Sequence, residues 1–220
     1  MKSFVIPAND YGGMIMTDDT QPVGATPGGD TSGLLLPHLA TTGARNAAET
    51  EAISRAYDKH VFRARRKKQG TQWLTDDFLR QVHKDMFGAI WEWAGTYRET
   101  RLNIGIEPHF IPTQIRLLTD DFLYWNDTKS TMSVIEIAAR VQHRLTHIHP
   151  FVNGNGRHAR LITDIFFHSR NHPIPQWPQI QLMEQGNQVR EDYISAMKKA
   201  DDGDITALMN FIEECLTSRS

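Results

Sequence analysis

Gly154-Asn155-Gly156 puts three residues that tolerate a left-handed backbone in a row, between two segments of helical apolar periodicity. Gly has no Cβ, and the short Asn side chain tolerates the same region, so the chain can turn sharply there and start a new helix at once. Before the turn, Val134, Ile137, Ala138, Val141, Leu145 and Ile148 recur at helical spacing. Ser133 followed by Glu136 marks where that helix begins. After the turn, Leu161, Ile162, Ile165 and Phe166 repeat the pattern. The sequence therefore predicts two core helices joined by one tight loop.

That loop is dense in reactive groups. A run of residues able to reverse their backbone turns successive N–H groups inward and forms an anion-binding nest. The helix that follows offers its open N-terminus and its dipole to the same anion. Arg157 and Arg160 lie on neighbouring faces of that helix and can both aim forks at phosphate oxygens. His149 stands just ahead and can take a proton near neutral pH. Gly-Asn-Gly turns are common, and helices often begin with arginines that only pair with surface carboxylates. A histidine before the turn and two spaced arginines after it favour a phosphate cradle with a base beside it.

The stretch His149–Arg160, HPFVNGNGRHAR, resembles the signature of the Fic (Fido, or Fic/DOC) family, HPFx(D/E)GNGRxxR. His149, Pro150, Phe151, Gly154, Asn155, Gly156, Arg157 and Arg160 match; Asn153 stands where the family carries Asp or Glu. The resemblance implies a protein adenylyltransferase that moves AMP from ATP to a Ser, Thr or Tyr hydroxyl of a target protein, with Mg²⁺. It implies His149, Asn155 and Arg157 as catalytic residues, and Gly154, Asn155, Gly156, Arg157 and Arg160 as the nucleotide cradle. Asn153 falls at the metal position. Tyr193 sits where similar chains often place a residue near the adenine, and equally suits a packed tyrosine. The implied fold is all-α: a Fic-type helical bundle, about residues 46–216, after an extended arm over 1–45. Residues 96–112, broken by Gly105 and Pro108, suit a small β-hairpin, which in the family is a flap that holds the target protein over the active site. The arm and the entry TTGARNAAETEAI look similar to the bacterial subgroup called mobile mystery protein B.

The rest of the chain sets limits. A formal net charge of −2 gives no support for a nucleic-acid binder, despite the basic run Arg63–Lys68. No apolar run approaches a membrane span, no signal-peptide core opens the chain, and Cys215 stands alone, so a cytoplasmic location is expected. Gly and Pro cluster before residue 45; a short strand near Phe4–Ile6 and anchorage of the arm by Leu34, Leu35 and Leu36 are expected. Asn46 with Glu49 reads as a capping pair opening a helix, and Thr75-Asp-Asp77 opens another with Phe78, Val82 and Met86 inward. Ile115–Trp125, Val189–Met197 and Ile205–Leu216 read as further helices, and Trp91 and Trp93 as core residues. His143 and His147, four apart, have zinc-like spacing, but no HExxH pattern accompanies them and hydrogen-bonded helix histidines are the plainer reading.

Many Fic-like chains carry an inhibitory helix, (S/T)xxxE(G/N), whose Glu occupies the second signature arginine. No Glu here has Ser or Thr four residues before it, so the expectation is that nothing within the chain competes for Arg160, and that an antitoxin or other inhibitor protein acts in trans. The alternative function is a toxin–antitoxin type Fic protein acting through binding, or transferring another phosphate-bearing group, with AMP transfer weakened by Asn153. Gly156 stands where kinase-like Doc relatives have Lys, and argues for nucleotidyl transfer.

Overall fold

The computed structural model describes residues 31–39, 41–64, 72–127 and 129–217. These residues form eight α-helices: α1 (Thr42–Ala64), α2 (Asp76–Phe87), α3 (Ile111–Trp125), α4 (Val134–Ile148), α5 (Asn155–Ser169), α6 (Gln179–Met183), α7 (Gln188–Asp201) and α8 (Thr206–Thr217). The all-α expectation holds. Helices α4 and α5 form the centre and pack most extensively on each other; α1 and α2 cover α5, while α3, α7 and α8 lie against α4. α5 is buried almost throughout, from His158 to Phe167. Phe122 meets Trp73 and Phe166 edge-to-face at 5.3 and 5.7 Å. Truncating a ring this deeply buried typically costs about 3–5 kcal/mol.

Side-chain caps set the start of several helices. Thr75 Oγ1 accepts from the Phe78 amide at 3.2 Å, and Ser133 Oγ from the Glu136 amide at 3.0 Å. The inner face of α2 is Leu79, Val82, His83, Met86 and Phe87, with Phe78 only half-buried. α1 begins four residues before the expected Asn46, because Thr41 Oγ1 takes the Ala44 amide at 3.2 Å. The Arg45 guanidinium reinforces this start by donating to Leu39 O and Thr42 Oγ1. Asn46 is thus inside the helix, and Glu49 is freed for another task. α3 likewise starts earlier than Ile115, at Ile111 with Pro112 in its first turn, where the missing N–H costs nothing.

The expected hairpin over 96–112 does not form: no strand ladder occurs among the described residues there. Tyr97 instead makes an isolated antiparallel bridge with Phe151, and the Arg98 amide donates to Pro150 O at 2.9 Å. The physical reason is Arg98. Its buried guanidinium donates to the carbonyls of His149, Thr100 and Ile106, taking acceptors on both arms that a ladder would need. Pro108 then starts a single 3₁₀ turn, Pro108–Phe110.

Residues 31–39 lie against the segment after α2: Leu35 N donates to Ile90 O and Glu92 N to Gly33 O, both at 2.8 Å. Leu34 packs on the core together with Leu39, whereas Leu35 is 48% exposed. The strand near Phe4–Ile6 and most of the basic run lie outside the described residues.

Candidate active site

The loop between α4 and α5 is built by its own residues. His149 ends α4 in the left-handed region (φ 52, ψ 60), and Gly154 (φ 78, ψ 5) caps α5 in the same region. Asn155 closes the loop between them: its Oδ1 accepts from Phe151 N at 2.9 Å, and its Nδ2 donates to Phe151 O at 2.8 Å. Asn155 therefore has its side chain committed to the loop and leaves its backbone at the helix N-terminus. Gly154 has an internal reason to be Gly, since a Cβ there would meet the Phe87 ring at 2.5 Å. Gly156 has none. A Cβ on it would meet only Arg160 Nη1, at 3.5 Å, so the space over this residue is open to a ligand.

Phe151 is fully buried between two histidines that sequence reasoning missed. His83 stacks on it at 3.6 Å and 9°, and His158 meets it edge-on at 5.1 Å. His83 Nε2 donates to Asn153 O at 3.0 Å, while its Nδ1 accepts from the Gly95 amide at 2.9 Å. His158 Nε2 donates to Leu79 O at 3.0 Å. Burial holds His83 well below the ordinary histidine pKa and brings His158 down to about 4. Both are neutral braces tying the loop to α2. The one available signal was a histidine at position 83 within the apolar stripe 79, 82, 86, 87.

His149 is 8% exposed, and burial lowers its pKa to about 4, with the nearby Arg98 charge adding to the effect. Its Nδ1 lies 3.3 Å from Thr146 O. A carbonyl can only accept, so Nδ1 carries the proton and Nε2 the lone pair. Arg98 Nε donates to His149 O at 2.7 Å, fixing the backbone beneath the ring. Gly105 (φ 91) lies directly on this residue: a Cβ there would come within 2.5 Å of His149 Cβ and 2.8 Å of Arg98 Nη2. Residues 97–107 thus cover the base although they form no hairpin.

A cleft beside α5 is lined by Ile53, Arg157, Arg160, Leu161, Asp164 and Gln179. Arg160 is 6% exposed; its Nη2 donates to Gln179 Oε1 at 3.0 Å, and its buried Nε has no partner among the described residues. An orphaned guanidinium N–H beside an open glycine is the feature an anion would satisfy. Arg157 is held elsewhere: its Nη1 pairs with Glu49 Oε2 at 2.7 Å, and its guanidinium lies 4.9 Å over the Phe87 ring. Glu49 Oε1 accepts from Trp91 Nε1 at 2.7 Å. No Glu contacts Arg160 among the described hydrogen bonds and ion pairs, but a glutamate of this chain does occupy the first signature arginine. Asp164 is buried in the same cleft, accepts from Trp177 Nε1 at 2.7 Å, and is pushed well above the usual carboxylate range by burial.

Tyr193 is buried in the core, its hydroxyl accepting from Gln142 Nε2 at 2.9 Å and its ring 5.2 Å from Phe211. That is the position of a packed tyrosine. Asn153 Oδ1 accepts from the Gly154 amide at 2.6 Å, so its side chain caps its own loop.

Residues 73–167 match the model of the Fic/DOC family. That segment runs from α2 into α5 and holds the whole loop between α4 and α5. It is 30% identical over 140 residues to the protein adenylyltransferase Fic of Drosophila grimshawi, covering 62% of this chain and 27% of that protein. It thus spans only about a quarter of that curated relative's length. Among solved structures, this chain superimposes on a variant of Fic-1 from C. elegans with a TM-score of 0.65, at 22% identity over 84% of this chain and 52% of that one. The BepC protein of Bartonella tribocorum with bound AMPPNP gives 0.55, at 21% identity over 80% of this chain and 89% of that one. At such identities the structural likeness speaks to the fold.

Proposed function

We propose that this chain is a protein adenylyltransferase that moves AMP from ATP to a Ser, Thr or Tyr hydroxyl of another protein. The observation that carries the reading is the pairing of a neutral, tautomer-fixed His149 with an anion-ready N-terminus of α5 on one rigid loop. The substrate hydroxyl gives its proton to His149 Nε2 as its oxygen bonds to the α-phosphorus, and the bond to pyrophosphate breaks. The backbone amides at the start of α5 hold the phosphate oxygens and the charge that develops on them. Arg160 meets the terminal phosphate with the N–H that is unpaired within the protein. Arg157 joins once it leaves Glu49. The target segment lies along residues 97–107, whose exposed stretch borders His149. The Drosophila relative bears the name of this activity, and the BepC structure binds an ATP analogue.

The residues present do not build a magnesium site. Magnesium takes one or two carboxylates with phosphate oxygens and waters, whereas Asn153 offers one neutral oxygen already holding the Gly154 amide. Magnesium would arrive on the phosphates of ATP. The lone cysteine offers no rival nucleophile, since burial pushes the Cys215 thiol up to about 12. Incubation with ATP and a bacterial lysate, followed by peptide mass spectrometry, should reveal AMP adducts on Ser, Thr or Tyr. Their absence, with nucleotide binding intact, would move the reading to the binding-type alternative.

A further inference from the structure

Helix α4 carries two more histidines that the loop above does not use. His143 and His147 are four residues apart and so share one face of the helix. The last residue of α7, Asp201, reaches both: its Oδ1 lies 2.8 Å from His143 Nε2 and 2.8 Å from His147 Nδ1. All three ligand-capable atoms fall within 4.8 Å of one another, and no other His, Cys, Asp or Glu trio among the described residues converges in this way. The His143 side chain is 14% exposed, while those of His147 and Asp201 are 49% and 45% exposed. The cluster therefore has a firm floor and an open mouth.

We propose that His143, His147 and Asp201 bind a divalent transition-metal ion, zinc by preference, that clamps α4 to the end of α7. Two imidazole nitrogens and a carboxylate oxygen suit zinc, whereas magnesium and calcium prefer all-oxygen sites. Tetrahedral zinc with bonds of about 2.0–2.1 Å separates its ligand atoms by roughly 3.3 Å. The 2.8 Å contacts would open by about half an ångström to admit it, a movement available to the half-exposed His147 and Asp201. Three protein ligands leave the fourth position to water. Without an ion, the two rings share one carboxylate oxygen. The pair at 143 and 147 was visible in the sequence, but the third ligand, 54 residues beyond His147, comes from another helix. His147 lies two residues before His149, so the clamp steadies the helix that delivers the base. The inference is independent of the reaction proposed above.

Calorimetric and thermal titration of the chelator-treated full chain with zinc, beside His147→Ala and Asp201→Asn, tests it. One equivalent should bind, and the thermal midpoint should rise by roughly 5–10 °C at a free-ion level about a hundred times Kd. Each variant should weaken binding by more than the roughly 10–100-fold cost of losing an outer-shell partner. Cobalt should give the intense visible absorption of a tetrahedral site in the parent chain and not in the variants. Both substituted positions are about half exposed, so the variants should keep the parent's helical circular dichroism. The proposal is overturned if zinc leaves the parent's midpoint unchanged, or if folded variants bind zinc as tightly as the parent does.

Discussion

His149 has been made a base by position. Burial keeps it neutral, and Thr146 O accepts from Nδ1–H, so its lone pair is ready at Nε2. Replacing it with Ala should lower AMP transfer by roughly 10²–10⁴-fold and leave nucleotide affinity nearly unchanged, because the phosphates are held by α5. A pKa near 4 also places the acid limb of kcat/KM far below the ordinary 6.5; a limb near 6.5 would show that the ring is solvated in the working enzyme. Glu49 gives a second residue-scale prediction. Glu49→Gln keeps an oxygen for Trp91 but removes the charge that holds Arg157. Nucleotide affinity should then rise by about tenfold, a modest return for a largely buried charge pair. A fall in affinity would mean that Glu49 orients Arg157 rather than competing for it. Asn153→Asp should lower the magnesium concentration needed for half-maximal transfer and raise turnover, since it adds the carboxylate the loop lacks.

At the scale of elements, the glycines of one turn have different jobs. Gly154→Ala puts a Cβ into the Phe87 ring at a left-handed backbone angle, and should destabilise the fold by roughly 2–4 kcal/mol in urea titration. Gly156→Ala should leave stability nearly unchanged and weaken nucleotide binding, because only a ligand needs that space. Equal losses of stability in the two variants would contradict this division. The helices themselves were largely legible, since apolar spacing and the caps at Thr75 and Ser133 are local signals. The loop residues from His149 to Arg160 were legible for the same reason. The braces were not: His83, Arg98 and Glu49 meet the loop from 51 to 108 residues away, which no periodicity records. The expected hairpin failed for a related reason, because β-branched residues around a Gly suggest a ladder while one buried arginine claims its carbonyls. Asn46 misled as a cap because Thr41, five residues earlier, competed for the same helix end.

Across the whole molecule, buried histidines set the response to acid. His149 and His158 have pKa values of about 4 and His83 is also well below 6.5, so the unfolded chain takes up protons first as the pH falls. Stability that is complete above pH 6.5 is lost between there and about pH 4, on the order of 2 kcal/mol by pH 5 for each of His149 and His158. Asp164 acts in the opposite sense, since its raised pKa lets the folded form take a proton before the unfolded one does. His60 and His143 are lowered by burial as well, so the balance predicts a lower urea midpoint at pH 5 than at pH 7; an unchanged midpoint would contradict the burial argument. The central claim is that the loop between α4 and α5 transfers the nucleotidyl group. ATP labelled at the α-phosphorus and ATP labelled at the γ-phosphorus, each offered with lysate to the parent chain and to His149→Ala, separates the possibilities in one measurement. Stable protein labelling from the α position alone, lost in His149→Ala, is the predicted result; labelling from the γ position, or α labelling that survives without His149, would contradict it.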